Sequence, residues 1–414
     1  MSELTTTTEA AHETIEVVAQ YQSAGEPIAG GDVIDWLLTQ GRLIERDAEF
    51  FDALCWRIVG NGVPLWRATI SVRTLHPQIL GHAFRWWRNR RLTEVIRVFH
   101  GVRESRDYLE SPLRSIFEEG ATLRFRLDND AAALARYPVL RELREAGGTD
   151  YFAGPLTFFN GRHQAVTWTS DAPEGFSASC FSTLTDMLPA LAAVVDARAM
   201  RRLAGTLLNT YLGRTAGQRI LDGVIQRAQG EKLRAVILAS DMRGFTNLSD
   251  RLPAGELIAL LDDYFDAVTA PIEARGGEVL KFMGDGLLAI FPFDGTPRQA
   301  ADAALDAATE GLGRIARLDE HRAAVGQAVF HAGIGLHLGE VVFGNVGAAD
   351  RLDFTVIGPA VNLTARLESL TKRLDRPLLV SRDFAATCGR RLVSLGFHPV
   401  RGIAVPEEVF GLPD

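Results

Sequence analysis

The apolar pattern between positions 233 and 291 most constrains the fold of this chain, because its period changes twice. LRAVILASD is a continuous apolar run that predicts a buried strand ending at Asp241. The segment 251–277 repeats apolar residues at helical spacing and ends in a glycine pair, which predicts an amphipathic helix. EVLKFMGDGLLAIF follows and predicts two strands joined by a tight turn at Asp285. Strand, helix and hairpin in this order predict a βαββ unit.

The rest of the C-terminal half continues the alternation of helices and strands. Residues 298–317 are rich in alanine and predict a helix, and FHAGIGLHLGEVVFGNVG predicts a second hairpin. PAVNLTARLESLTKRL predicts a helix that begins at Pro359, a favoured first-turn residue. Asn362 and Arg366 lie four residues apart on it and therefore share a face. Such a pair usually faces solvent, but an amide beside a guanidinium also suits a ribose oxygen and a phosphate.

Two interpretations of the aspartates remain open at this point. Asp241 follows a buried strand, where open α/β sheets place residues that contact ligands, whereas aspartate in a Gly-Asp-Gly turn such as that of Asp285 often serves the turn alone. If the two strands are neighbours, both carboxylates reach the same sheet edge. Two hard oxygen ligands, completed by water and phosphate oxygens, describe a magnesium–nucleotide site. Gly244 comes shortly after Asp241 and allows backbone N–H groups to approach an anion.

Composition narrows the class of protein. A length of 414 residues predicts two or three folded units, and a formal net charge of -8 argues against general binding to nucleic acid. The chain has 3 cysteines and no Cys-x-x-Cys pair, which favours reduced structural thiols. No run of about 18 uninterrupted apolar residues is present, and the N-terminus lacks a signal-peptide pattern. We therefore expect no membrane span and a cytoplasmic location.

The N-terminal half predicts a separate small α/β domain. Residues 1–31 are polar and predict a flexible or docking segment, and residues 32–180 mix helical and strand patterns, as GAF and PAS sensor domains do. GPLTFFNGRHQAVTWTSD predicts a hairpin around Asn160-Gly161, and PLWRATISVRTL predicts a strand. Arginine and tryptophan concentrate in WRATISVRTLHPQ and FRWWRNRRL. This composition fits an anionic or aromatic ligand as well as a core edge or a subunit interface.

Three segments of the C-terminal half together resemble a known family. SDMRGFT, KFMGDG and DFTVIGPAVNLTARLE are similar, in order and spacing, to the signature segments of class III adenylate and guanylate cyclases. The resemblance extends over residues 231–414. It implies a ferredoxin-like βαββαβ catalytic domain, so that the whole chain is of mixed α/β (α+β) class.

The resemblance assigns one set of residues to metal and phosphate binding. It implies that Asp241 and Asp285 each bind two ions per active site, Mg²⁺ or Mn²⁺, with the backbone carbonyl of Met242 as a further ligand. The β- and γ-phosphates would be held by three successive backbone amides, those of Gly244, Phe245 and Thr246.

A second set of residues would recognise the rest of the nucleotide. The resemblance implies that Lys281 and Thr355 read the purine, that Asn362 orients the ribose and that Arg366 stabilises charge on the α-phosphate. Arg401 resembles a cation that binds the terminal phosphates. A lysine ammonium donates to the N1 acceptor of adenine, whereas guanine presents an N–H there, so Lys281 favours ATP. The Lys–Thr combination resembles the subgroup that includes bicarbonate-stimulated cyclases.

The implied reaction is the conversion of ATP to cyclic AMP and pyrophosphate in a homodimer with shared active sites. Asp241 and Asp285 would come from one subunit, and the other would supply Lys281, Thr355, Asn362 and Arg366. Guanylate cyclase and a catalytically silent nucleotide-binding regulator are the alternatives. A diguanylate cyclase is disfavoured, because the hairpin contains MGDG in place of a G-G-D/E-E-F turn.

Residues 181–230 connect the two halves and predict a long helix. Apolar residues recur at helical spacing from Leu184 to Tyr211, and Pro189 marks a kink or the start of the helix. This stripe covers either the chain's own core or the same helix of a second subunit. The dimer implied by the resemblance favours the second interpretation, a transducer between a regulatory domain at 32–180 and the catalytic domain. A small-molecule effector of the N-terminal domain would be the signal.

Overall fold

The structure is a computed structural model that describes residues 14–23, 25–76, 79–223, 230–348, 351–400 and 405–413. It divides into two compact units, Met1–Thr206 and Leu207–Asp414. Each unit is built around its own antiparallel-rich sheet, which agrees with the predicted mixed α/β class. The finer boundaries expected at residues 31, 180 and 230 stay predictions.

The N-terminal unit contains seven strands among its described residues, together with helices and two 3-10 turns at Gly41–Leu43 and His100–Glu104. The strands are β1 (Ile15–Gln22), β2 (Leu65–Arg73), β3 (Ile79–Trp87), β4 (Leu92–Phe99), β5 (Leu123–Arg126), β6 (Asp150–Thr157) and β7 (His163–Ser170). The helices are α1 (Val33–Thr39), α2 (Asp47–Gly60), α3 (Arg106–Leu109), α4 (Pro112–Glu119), α5 (Ala131–Arg136), α6 (Pro138–Glu145), α7 (Ala178–Asp186) and α8 (Leu188–Leu212).

The strands of this unit form one sheet in the order β1-β4-β3-β2-β7-β6-β5. The predicted strand PLWRATISVRTL is confirmed as β2, and the predicted hairpin around Asn160-Gly161 is confirmed as the antiparallel pair β6 and β7. Gly161 has a φ of 74°, which a tight turn requires and a glycine permits. Residues 15–22, within the segment expected to be a flexible or docking region, form the edge strand β1.

The two faces of the N-terminal sheet are both covered by helices. One face packs with α2, α7 and α8 in a core that contains Trp86, Phe152 and Trp168. The other face packs with α4, α5 and α6 in a smaller core around Trp66 and Tyr151. The polar side of β2, which its alternating sequence would present to water, is therefore enclosed.

The long helical region divides into a buried and an exposed part. Leu184, Met187, Leu188 and Leu191 are buried in the main core of the N-terminal unit, whereas Tyr211 is exposed. The first half of the stripe thus covers the chain's own core, which is one of the two alternatives. By length and composition alone the run Ala178–Leu212 could cross a membrane, but one such helix is also typical of a buried core helix.

The C-terminal unit contains eight strands and six helices within the described ranges. The strands are β8 (Gly230–Arg243), β9 (Glu278–Met283), β10 (Gly286–Pro292), β11 (His331–Gly347), β12 (Leu352–Ile357), β13 (Leu378–Ser381), β14 (Val393–His398) and β15 (Glu407–Gly411). The helices are α9 (Arg214–Leu221), α10 (Phe245–Ser249), α11 (Ala254–Ala274), α12 (Pro297–Ala324), α13 (Pro359–Leu374) and α14 (Arg382–Thr387).

The predicted βαββαβ arrangement is confirmed by the series β8, α11, β9, β10, α12 and β11. Its strands lie side by side in the order β11-β8-β10-β9, with β8 antiparallel to both β10 and β11. Val236 and Leu238 of β8 pack in the core with α11 and α12, whereas Ala235 and Ile237 pack on the opposite face. Asp241 continues the odd-numbered series, and so it points away from α11 and α12.

One local prediction is wrong. FHAGIGLHLGEVVFGNVG was expected to be a hairpin, but His331–Gly347 forms one continuous strand, β11, that pairs with β8 from His331 to Gly344. Its glycines serve close packing and not a turn. A Cβ at Gly335 would lie 2.6 Å from the backbone of Thr364 and Glu368, so this glycine allows α13 to lie directly against the strand.

Candidate active site

The fold brings Asp241 and Asp285 to the same edge of the C-terminal sheet. Asp241 lies opposite Gly286 in the β8–β10 pairing, and Asp285 is the residue just before it. The backbone N–H of Met242 donates to the backbone carbonyl of Asp285 at 3.2 Å. A Cβ at Gly286 would lie 2.9 Å from Oδ1 of Asp241, so the glycine leaves room for that carboxylate. The two strand ends therefore place both carboxylates around one point.

The electrostatic surroundings of Asp241 disfavour its negative charge. Burial and, to a smaller extent, the nearby charge of Asp285 raise the pKa of Asp241 to about 6, whereas Lys372 and the backbone N–H of Met242 act in the opposite direction. No side-chain donor is bonded to the Asp241 carboxylate among the residues that the structure describes. A cation at this position would offset both the cost of burying the Asp241 charge and its repulsion by Asp285.

Glu368 adds a third carboxylate that the sequence interpretation missed. It lies on α13 opposite Gly333, the β11 residue that pairs with Asp241. The pKa of Glu368 is raised to about 7. Burial is the largest cause, and repulsion from Asp241 is the second. The sequence offered one indication of this position. Glu368 lies four residues after Thr364, which is fully buried, and residues four apart share a helix face.

The residues present fit a divalent cation that also depends on ligands from the substrate. Within the described residues, no group of three or more His, Cys, Asp or Glu side chains is arranged to hold a metal ion. Asp241, Asp285 and the carbonyl of Met242 would supply hard oxygen ligands, which Mg²⁺ and Mn²⁺ accept. Mg²⁺ commonly binds through one or two carboxylates together with substrate phosphates.

The segment after β8 supplies backbone donors beside the carboxylates. Gly244 has a left-handed φ of 77° and begins the short helix Phe245–Ser249. Apart from Gly244 and its two chain neighbours, no atom of the described residues lies within 4 Å of the position that a Cβ of Gly244 would take, so the space beside it is open. The first N–H groups of a helix have no acceptor within that helix. In this short helix they are the N–H groups of Phe245 and Thr246.

Lys281 and Thr355 lie on neighbouring parts of the sheet but do not bond to each other. Lys281 Nζ is 3.1 Å from Oδ2 of Asp353, so its ion-pair partner is a residue that the sequence interpretation did not single out. Asp353 precedes Thr355 by two residues and thus shares its strand face. The Thr355 side chain is buried, and its Oγ1 has no hydrogen-bond partner among the described residues. A buried hydroxyl without a partner is a place where a ligand donor would bind.

Asn362 and Arg366 lie on α13 away from its packed face. The packed face contains Thr364, Leu367 and Leu370, whereas Asn362 is exposed. Neither Asn362 nor Arg366 makes a side-chain hydrogen bond or ion pair with any part of the chain that the structure describes. The cation that acts on Asp241 is Lys372 and not Arg366. Within one chain, Asn362 and Arg366 therefore do not share the surroundings of Asp241 and Asp285.

The last predicted binding residue, Arg401, lies outside the described residues. Its proposed role in binding the terminal phosphates stays a prediction.

Comparison with known proteins identifies what the C-terminal unit resembles. The family described as adenylate and guanylate cyclase catalytic domain matches residues 229–382. The chain is 35% identical over 154 residues to an adenylate cyclase of Anabaena cylindrica, over 36% of this chain and 30% of that protein. It is 30% identical over 149 residues to adenylate cyclase 1 of Rhizobium meliloti, over 36% of this chain and 22% of that protein. The matched region thus spans less than a third of these relatives.

Solved cyclase structures are also similar to part of this chain. The adenylyl cyclase CyaB from P. aeruginosa aligns over 45% of this chain and 96% of its own, with 27% identity and a TM-score of 0.41. The guanylyl cyclase Cya2 aligns over 45% and 95%, with 30% identity and a TM-score of 0.40. The names of these similar proteins include both adenylate cyclases and a guanylate cyclase.

Proposed function

Because residues 229–382 belong to the adenylate and guanylate cyclase catalytic domain family, we propose that this chain converts ATP to 3′,5′-cyclic AMP and pyrophosphate. The observation that carries the proposal is the placement of Asp241 and Asp285 at one sheet edge, beside the open backbone of Gly244. The raised pKa of Asp241 supports a role in cation binding, because a structural carboxylate normally has donors around it.

Asp241, Asp285 and the carbonyl of Met242 would hold two Mg²⁺ or Mn²⁺ ions. When bound, these ions supply positive charge that neutralises the triphosphate and lowers the energy of the reacting oxygens. The amides of Gly244, Phe245 and Thr246 would hold the β- and γ-phosphates. Backbone donors of this kind need no reorganisation during the reaction, which makes them effective in stabilising charge.

The choice of ATP rests on the residues of β9 and β12. Lys281 would donate to N1 of adenine, and the unbonded hydroxyl of Thr355 would accept from the adenine amino group. Asp353 holds the Lys281 ammonium at 3.1 Å and thereby limits the positions that it can take. Guanine presents an N–H at the position of N1 and would oppose the ammonium.

The proposal includes a homodimer with shared active sites. The 3′-hydroxyl releases its proton to water and attacks the α-phosphorus. The new P–O bond closes the ring, and the bond to pyrophosphate breaks with the electron pair going to the leaving oxygen. Asn362 would orient the ribose and Arg366 would stabilise charge on the α-phosphate. Because both side chains lie away from Asp241 of their own chain, we place them in the site of the partner subunit.

Product identification tests this function directly. The full chain is incubated with ATP or GTP and with Mg²⁺ or Mn²⁺, and the products are determined by mass spectrometry. We expect cyclic AMP and pyrophosphate, and Lys281→Glu should lower the preference for ATP. Cyclic GMP as the main product would support the guanylate cyclase alternative, and nucleotide binding without any product would support the silent regulator.

We further propose that the N-terminal unit regulates this activity in the cytoplasm, through a small-molecule effector and the helix that follows it. The Lys281–Thr355 combination also motivates a response to bicarbonate. Cyclase activity measured with added bicarbonate at fixed pH and ionic strength should rise. Unchanged activity would remove bicarbonate as an activator without affecting the assignment of the reaction.

A further inference from the structure

A cavity of about 220 Å³ lies in the N-terminal unit, on the sheet face opposite the main core. The even-numbered residues of β2, such as Ala68 and Ile70, pack into that core. The odd-numbered side chains of the same strand line the cavity, and they are Arg67, Thr69, Ser71 and Arg73. Residues of α3, α4 and α6 cover them. A polar strand face of the kind that normally meets water is therefore enclosed by protein.

Arg67 is the most informative residue of this cavity. Its Nε is buried without a hydrogen-bond partner, and its guanidinium stacks on the Trp87 ring, 4.9 Å from Cζ to the ring centroid. No Asp or Glu within the described parts of the chain forms an ion pair with it. Burial lowers the pKa of Arg67 to about 10, so the side chain keeps its charge at neutral pH. Glu94 and Glu142 act on this charge at a distance but form no ion pair with it, and an anion in the cavity would supply a direct partner.

Two further buried nitrogen atoms beside the cavity have no partner. They are Nδ1 of His82 and Nε of Arg85, and both residues line the cavity. Arg85 forms an ion pair with Glu94 through Nη1 at 3.5 Å, but Glu94 is not one of the lining residues, and no Asp or Glu among the described residues lines the space. The polar side of the cavity is thus rich in donors and lacks negative charge.

The opposite wall is apolar. Leu113 and Phe117 of α4 and Val139 of α6 line it, and Ile96 of β4 adds an apolar side chain from the sheet. A hydrated inorganic anion would leave this surface without contacts, whereas a molecule with an apolar body would bury it. The planar guanidinium of Arg67 can bind both oxygens of a carboxylate.

We propose that this cavity binds a small organic carboxylate with a compact apolar body, its carboxylate on Arg67. The ligand would be the effector of the N-terminal unit, and only this regulatory consequence rests on the proposed function. Binding itself depends on the cavity alone, so the two can fail separately.

The test measures binding to the full chain by calorimetry, with benzoate and octanoate as probes. Their primary amides serve as uncharged controls of the same shape. We expect at least one carboxylate to bind, its amide to bind at least about tenfold more weakly, and Arg67→Met to weaken the carboxylate at least about tenfold, because a charge-assisted hydrogen bond is lost. Arg90→Met is the matched control, since exposed Arg90 stacks on the same Trp87 ring, 4.7 Å away, but does not line the cavity.

The melting temperature of the ligand-free variants provides a second measurement. Arg67→Met should melt at or above the temperature of the unmodified chain, because it removes a largely desolvated charge that has no ion-pair partner. Amides that bind as tightly as the carboxylates would overturn the proposal. So would unchanged carboxylate affinity in Arg67→Met, or no binding of either carboxylate at millimolar concentration.

Discussion

Two buried carboxylates of the N-terminal unit differ from half-buried Asp241 of the C-terminal unit in what surrounds them. In the N-terminal unit, fully buried Asp150 accepts from Arg124 Nη2 at 2.7 Å and from the backbone N–H of Phe176 at 2.9 Å. Asp52 accepts from the indole Nε1 of Trp86 at 2.9 Å. These carboxylates are held by donors of the chain itself, so their charge or hydrogen bonds serve the fold.

In the C-terminal unit the surroundings have the opposite character. Asp241 has Asp285 and Glu368 as neighbours, and its charge is disfavoured by both burial and repulsion. The comparison teaches that burial alone does not distinguish a structural carboxylate from one in a binding site. The distinction lies in whether the chain supplies the compensating donors or leaves them to a cation.

Loss of Asp285 should have the largest effect. Asp285→Ala removes one of the two carboxylates that would hold the metal ions, and we expect the cyclase rate to fall by about a thousandfold. Arg366→Ala should be similarly inactive. An equal mixture of the two chains should recover about a quarter of the normal activity, because half of the dimers then contain one complete site.

The matched control for this mixture combines Asp241→Ala with Asp285→Ala. These residues belong to the same half of the site, so their mixture should stay inactive. Recovery in this control, or no recovery in the first mixture, would contradict the shared-site arrangement.

Loss of Asp150 should act on stability and not on the chemistry. Asp150→Ala leaves Arg124 and a buried N–H without their acceptor, and we expect the free energy of unfolding of the N-terminal unit to fall by about 3 kcal/mol. Denaturant unfolding measures the change. Asp128→Ala is the control, because this exposed partner of Arg126 should leave stability unchanged. Equal effects of the two substitutions would contradict the structural role of Asp150.

Neutralising Asp241 should have the opposite sign from the loss of Asp150. The pKa of Asp241 is about 6 in the folded chain, above its ordinary 3.8, so ionisation opposes folding above about pH 6. Because the group is only half buried, we reduce the expected gain of Asp241→Asn at pH 8 to about 1 kcal/mol, or roughly 2–4 °C in melting temperature. Thermal unfolding without divalent ions measures it.

This gain should disappear as the pH falls toward 4, where the native carboxyl is also neutral. Added Mn²⁺ should raise the melting temperature of the unmodified chain at pH 8 but not that of Asp241→Asn. A variant that is less stable than the native chain at pH 8 would show that Asp241 has a structural role after all.

The smallest expected effect concerns the partner of Lys281. Asp353→Asn removes a partly exposed ion pair, and such pairs contribute up to about 1 kcal/mol, so kcat/KM for ATP should fall by no more than about fivefold. The ratio of kcat/KM for ATP to that for GTP should fall as well, because the ammonium is less constrained. Glu340→Gln is the control, because it removes a different lysine ion pair, that of Lys232 with Glu340. An unchanged ratio would mean that Asp353 does not help to select the base.

Local patterns were sufficient to predict the βαββ unit and the closeness of Asp241 to Asp285. Both follow from strand ends and a tight turn, which are properties of short segments. Glu368 and the ion pair of Lys281 with Asp353 could not be found in this way, because they depend on how α13 and β12 pack on the sheet. The continuity of β11 was missed for a related reason. Position 335 requires a glycine because α13 lies directly against it, and the local sequence does not reveal that α13 packs there.

The close packing of α13 on Gly335 has a consequence for how this chain can change over generations. The helix carries Glu368 toward the carboxylates of its own chain and presents Asn362 and Arg366 in the other direction. A larger residue at Gly335 would displace both faces together, so one inherited change would alter two functions at once. Lys281 lies on a different element, the strand β9. A lineage could therefore acquire a different base preference there while the position of the helix stays the same.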